Sequence, residues 1–211
     1  MKVKVCGMTS YEDAAMALDH GVDALGFNFF PRSPRYVSPM SARRIIERIP
    51  PLAVIVGLFV NEPQPEDVSE MARAAGVQVV QLHGDENPEY CRRLREWPLI
   101  KALRVGKSQT EDNLEDYPVR AFLLDSRDDV LFGGTGKPFD WNRALEVKKV
   151  RPVILAGGLR PDNVQEAIRM VMPYAVDVCS GVESAPGKKD GRRLKEFMDE
   201  VRNVSDNFQR P

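Results

Sequence analysis

The chain has 211 residues, 43% hydrophobic and 29% charged, and its 30 Lys and Arg against 31 Asp and Glu give a formal net charge of −1. That hydrophobic share excludes a disordered chain, and the balanced charge removes the electrostatic case for nucleic acid as a partner. The longest apolar run, residues 52–60, is short of the ~20 residues a bilayer takes, which speaks against a membrane.

Short β-branched runs alternate with longer amphipathic stretches along the whole chain. In order, the predicted strands and helices are 2–6 and 10–20, 24–29 and 39–48, 53–60 and 65–75, 77–82 and 87–96. They continue as 100–105 and 109–117, 121–124 and 141–149, 153–155 and 161–172, and 176–179 and 190–203. Proline near the helix starts at 61–65 and 160–163, and Gly21 and Gly76 after helical stretches, are the expected punctuation. Strand–helix alternation implies a parallel sheet with right-handed crossovers. Eight units of about 26 residues each predict a small single-domain α/β fold, a (β/α)8 TIM barrel over 1–204 with a polar C-terminal tail at 205–211. An open eight-stranded sheet is the alternative reading.

Cys6, Cys91 and Cys179 are odd in number and widely scattered, which argues against disulfides and for a reducing compartment. The first twenty residues hold Lys2, Lys4, Glu12, Asp13 and Asp19 rather than an apolar leader core, so a cytoplasmic location is expected. With only His20 and His83 and no CxxC spacing, no metal site, haem or iron–sulfur cluster is expected.

In a barrel of this kind the active site lies at the C-terminal ends of the strands. There the sequence offers Cys6, His83, Asp125, Asp177, and the glycine clusters Gly157-Gly158 and Ser180-Gly181. The two clusters follow strands seven and eight, where backbone N–H groups cradle a phosphate in many barrels. Cys6 reads either as a buried small hydrophobe or as a thiol whose pKa must be lowered to work as a base. Asp125 reads either as a cap for the following loop or as a catalytic acid. His83 is a site donor or a strand-end histidine with a backbone partner. Arg35 sits in a loop stiffened by Pro31 and Pro34 and suits a carboxylate; Arg32 competes for that role. Gly133–Gly136 with Lys137 lacks the P-loop spacing and reads as a mobile flap over the site.

The motifs Lys4-Val-Cys-Gly-Met-Thr9, Gly26-Phe-Asn-Phe-Phe-Pro-Arg-Ser-Pro-Arg-Tyr-Val37, Gly57-Leu-Phe-Val-Asn61, Val80-Gln-Leu-His-Gly-Asp-Glu86 and Leu123-Leu-Asp-Ser126 occur in that order. Gly133-Gly-Thr-Gly136, Phe139-Asp-Trp141, Leu155-Ala-Gly-Gly-Leu159 and Asp177-Val-Cys-Ser-Gly-Val-Glu-Ser-Ala-Pro-Gly-Lys188 complete the set. Together they resemble the phosphoribosylanthranilate isomerase family over nearly the whole chain. The resemblance implies an isomerase of tryptophan biosynthesis that converts N-(5-phosphoribosyl)anthranilate to 1-(2-carboxyphenylamino)-1-deoxyribulose 5-phosphate by an Amadori rearrangement. It implies Cys6 as general base, Asp125 as general acid and Arg35 on the anthranilate carboxylate. Gly157, Gly158, Ser180 and Gly181 would bind the phosphate, with His83 and Asp177 as further substrate-side residues. The implied partner is a small sugar phosphate, and the implied enzyme is a cofactor-free monomer or homodimer. Cys179 departs from the serine expected there, and Met8 from the more frequent isoleucine.

Overall fold

A computed structural model of the chain describes residues 1–104, 113–125 and 141–208. Eight parallel strands follow one another around a closed barrel: β1 Lys2–Cys6, β2 Ala24–Asn28, β3 Val54–Phe59, β4 Val79–Leu82, β5 Leu99–Arg104, β6 Ala121–Asp125, β7 Val153–Ala156 and β8 Ala175–Val178. β1 pairs with both β2 and β8, so the sheet has no edge and the open-sheet alternative is excluded. Around it lie α1 Tyr11–Asp19, α2 Pro39–Ile46, α3 Pro65–Ala75, α4 Pro88–Arg93, α5 Trp141–Val150, α6 Val164–Val171 and α7 Gly191–Phe208.

Local chemistry sets these boundaries. Ser38 accepts from the Ser41 N–H ahead of Pro39 in α2, and Asn87 accepts from the Tyr90 N–H ahead of Pro88 in α4; both are N-caps followed by a proline whose missing N–H costs the helix nothing. α3 ends at Gly76, whose φ of 79° closes the left-handed cap. α6 begins at Val164, later than the 161 start predicted. Asn163 uses its side chain to accept from the Arg160 N–H at 2.7 Å and to donate to the Gly158 carbonyl at 2.9 Å, which holds 160–163 as a turn. Within the predicted helix at 109–117 the described residues form only a 3-10 turn, Leu114–Asp116. Tyr117 precedes Pro118 and is extended there, as the residue before proline prefers. α7 runs through Phe208, so residues 205–208 of the expected tail continue the helix. The predicted flap at 133–136 lies outside the described residues.

Side chains divide by strand parity. One set, including Val5, Leu25, Phe27, Phe59, Phe122, Leu124 and Val178, packs outward against the helices in the large core. The other faces the barrel axis, where Val56, Ile100, Ala102, Leu123, Ile154 and Ala156 form a second apolar cluster. Buried polar groups share the strands of this inner face: Lys4 on β1, Gln81 on β4, Asp125 on β6 and Asp177 on β8. A two-stranded antiparallel hairpin follows β8, with β9 Glu183–Ala185 and β10 Lys188–Lys189 joined through Pro186 and Gly187. The sequence reading did not anticipate it. Among the described residues, no helix is long and apolar enough to cross a membrane.

Candidate active site

The C-terminal ends of the strands surround a cavity of about 180 Å3. Cys6, Arg35, His83, Asp125, Gly157, Gly158, Asp177 and Ser180 line it. Of the residues proposed from sequence, Gly181 and Arg32 do not. A Cβ on Gly181 would overlap the Leu159 carbonyl oxygen, so this glycine lets the loop after β8 press against the loop after β7. Gly157 and Gly158 have φ of 84° and 65°, the left-handed region where glycine is unstrained.

Cys6 ends β1 with its side chain buried. Space for its sulfur comes from Gly26 on the neighbouring strand, where a Cβ would lie 2.9 Å from Cys6 Sγ and 3.0 Å from Lys4 Nζ. A hydrogen bond from the Cys179 thiol and the nearby Lys4 and Lys189 ammonium groups hold the Cys6 thiol well below its ordinary pKa, against the opposing effect of burial. Cys179 is the complementary partner: its bond to Cys6 and its burial push its own thiol far up. Within the pair Cys6 is thus shifted toward the thiolate and Cys179 toward the thiol, and the Cys179 Sγ also lies 3.8 Å from Glu183 Oε1.

Beneath Cys6, Lys4 pairs with Asp177 at 3.0 Å, with side chains 4% and 8% exposed. Burial works against the Lys4 charge, but the Asp177 and Cys6 anions outweigh it and raise its pKa. Burial pushes the Asp177 carboxyl up to about 7, with Lys4 pulling the other way.

Arg35 reaches the site from a loop with its own hydrogen bonds. Asn28 donates to Ser33 Oγ at 3.0 Å and accepts from the Phe30 N–H at 2.9 Å, and Ser33 Oγ accepts from the Arg35 N–H at 3.1 Å. The guanidinium grips Glu183 through Nε at 2.9 and 3.0 Å and Nη2 at 2.6 Å. This fork fixes the plane of the group. Arg32, its competitor, is exposed and does not line the cavity. Glu183 also accepts from Lys189 Nζ at 2.8 Å, and Lys189 donates to the Cys6 carbonyl at 2.6 Å. Burial would raise the Glu183 pKa, but Arg35 and Lys189 prevail and lower it.

On the far side, His83 Nε2 lies 3.0 Å from Asp125 Oδ2, and Gln81 Nε2 lies 2.9 Å from His83 Nδ1. The His83 ring is thus in the site and paired to a side chain.

Sequence reasoning missed Lys4, Gln81, Glu183 and Lys189. For two of them a signal existed: Lys4 and Gln81 each lie two residues before a named site residue, on the same inward strand face. A charged or amide group in an apolar strand interior needs a partner. Glu183 and Lys189 depend on the hairpin and carried no comparable signal.

Residues 3–200 match the family described as N-(5'-phosphoribosyl)anthranilate (PRA) isomerase. The N-(5'-phosphoribosyl)anthranilate isomerase of Trichlorobacter lovleyi is 51% identical over 199 residues, covering 94% of this chain and 96% of the relative. A crystal structure of phosphoribosyl anthranilate isomerase in complex with reduced 1-(o-carboxyphenylamino)-1-deoxyribulose 5-phosphate is 40% identical, with a TM-score of 0.80, covering 96% of this chain and 99% of that one. Monomers of the dimeric enzyme from Thermotoga maritima superpose with a TM-score of 0.81 at 39% identity, over 96% and 98% of the two chains. The chain belongs to the N-(5'-phosphoribosyl)anthranilate isomerase family, the isomerases of tryptophan biosynthesis.

Proposed function

We propose that the chain performs its family's isomerisation as an Amadori rearrangement in this cavity, with Asp125 as general acid and Cys6 as general base. The observation that carries the reading is a thiol held toward its thiolate and a histidine-paired carboxyl lining one cavity. Asp125, protonated, gives its proton to the furanose ring oxygen. The C1′–O bond breaks, and the anthranilate nitrogen supplies the electron pair that makes the protonated imine. The Cys6 thiolate then removes the C2′ proton, and the C–H electrons form the enolamine and neutralise the nitrogen. Tautomerisation moves a proton from the 2′-hydroxyl to C1′ and leaves the ketone. Protons on Cys6 and Asp125 re-equilibrate with water before the next turnover. The protonated imine is itself the electron sink, so no cofactor takes part. Each proton-transfer group contributes on the order of 10²–10⁴-fold.

Arg35, held in plane by Glu183, suits the anthranilate carboxylate through its remaining Nη1 edge. Gly157, Gly158 and Ser180 present backbone to the phosphate, and Gly181 serves by letting their two loops approach. His83 acts on Asp125, and Asp177 acts on Cys6 through Lys4. The substrate is a small sugar phosphate met in the cytoplasm, not a nucleic acid or a membrane, and the working unit is a monomer or homodimer.

The test is the loss of anthranilate-type fluorescence when freshly made phosphoribosylanthranilate meets the purified protein. Rapid decay without added metal is expected, and it should vanish in Cys6→Ala and Asp125→Asn while product affinity persists. Near-normal kcat in either variant sinks that residue's assignment.

A further inference from the structure

Gln81 is 0% exposed on β4, and its Oε1 is the one buried side-chain oxygen or nitrogen, among the described residues, without a hydrogen-bond partner. Its strand neighbours at that level are Leu58 and Ile100, which offer no polar atom. An amide could turn over to exchange its oxygen and nitrogen, so its orientation has an energetic cause. Facing His83 with Nε2, as here at 2.9 Å, it strands one carbonyl oxygen. Turned over, it would strand two N–H donors in the same apolar layer, and orphaned donors are the rarer, costlier defect. The amide therefore presents a donor to His83 Nδ1, and that nitrogen must be an acceptor. The ring proton is then confined to Nε2, 3.0 Å from Asp125 Oδ2.

We infer that Gln81 is a positioning residue for the reaction: by holding His83 in the Nε2–H tautomer it keeps the acid proton of Asp125 available to substrate. With Nε2–H donating, Oδ2 is occupied as an acceptor. A proton on Asp125 is then not shared with the His83 ring. In the opposite tautomer Oδ2–H would donate into Nε2, and the proton would be tied up between the two side chains. After transfer, the same Nε2–H stabilises the new carboxylate without rearrangement. The inference deepens the acid assignment of Asp125 and rests on it.

The chain has two histidines, so the ring nitrogens of His83 can be followed by 15N NMR of histidine-labelled protein, with His83→Asn assigning the signals. Wild-type His83 should be protonated at Nε2 and bare at Nδ1. Gln81→Met keeps the length of the side chain and removes the donor. It should lose the tautomer preference and lower kcat on the order of ten- to a hundredfold, the range that outer partners of metal-bound histidines show. KM and affinity for the reduced product analogue should stay within about twofold, because Gln81 touches neither end of the substrate. Gln81→Glu places an acceptor against Nδ1, and should move the ring proton there and cost more activity than Gln81→Met. A wild-type spectrum with the proton on Nδ1 overturns the inference without any variant. So does Gln81→Met with unchanged tautomer and kcat while Asp125→Asn is inactive, an outcome that leaves the acid assignment standing. Full activity in Asp125→Asn would remove the acid assignment and this inference with it.

Discussion

Lys189 donates to the backbone carbonyl of Cys6 at 2.6 Å across 183 positions of sequence, with its side chain 0% exposed. Its charge is one of the influences that hold the Cys6 thiol down. With the Cys6 thiolate as the proposed base, activity is expected above the Cys6 pKa and is lost as pH falls through it. Lys189→Met should move that acid limb to higher pH. On the acid limb kcat/KM at a fixed pH should fall, with recovery in more alkaline buffer. A pH profile of kcat/KM decides it: an unmoved limb means Lys189 serves only the hairpin.

The three cysteines should separate in reactivity. Burial pushes the Cys91 thiol up to about 12, whereas Cys6 is held below its ordinary value and lines the cavity. Iodoacetamide at neutral pH should modify Cys6 first and leave Cys91 untouched, as read by peptide mass spectrometry. A phosphorylated product analogue should protect Cys6. Cys91 modified at a comparable rate in folded protein would contradict this ordering.

Arg35→Ala should raise KM by roughly ten- to a hundredfold, matching the ~1.5–3 kcal/mol of a charged hydrogen-bonding contact, with kcat changed less. Arg35→Lys should rescue little, because a point charge cannot make the same fork to Glu183. Steady-state kinetics with the anthranilate substrate checks both. An unchanged KM in Arg35→Ala removes the carboxylate role from this residue.

Two glycines of the loops after β7 and β8, the proposed phosphate site, should respond differently to alanine. At Gly158 a Cβ meets nothing within 4 Å, and only its φ of 65° opposes substitution, at about 1–2 kcal/mol. At Gly181 the Cβ overlaps the Leu159 carbonyl, so one loop must move away from the other. Gly181→Ala should lose more stability in urea denaturation and more affinity for inorganic phosphate than Gly158→Ala. The reverse order would mean that the approach of these loops does not matter for anion binding.

The barrel was legible because its signals are local and repeated. Runs such as residues 121–124 and 153–155 are buried strands, and the stretches between them are amphipathic helices, so the element order could be counted. Boundaries moved by a residue or more where side chains competed with the backbone, as Asn163 does ahead of α6. The strand-end rule gathered most of the cavity lining without knowledge of any distance. Lys4 and Lys189 escaped because their partners come together only on barrel closure. Lys4 finds Asp177 at a separation of 173, and Lys189 finds Cys6 only because β1 lies beside β8. The hairpin had a Pro186-Gly187 turn signal, but its two strands are three and two residues long, too short for a period to show.

The closure of β1 onto β8 also sets a timetable. Cys6 ends the first strand, whereas Cys179 and Lys189, which shape its titration, both follow β8. A chain whose eighth unit has not docked lacks both of these groups beside Cys6. The lowered titration of Cys6 is therefore a read-out of barrel closure rather than of its own strand.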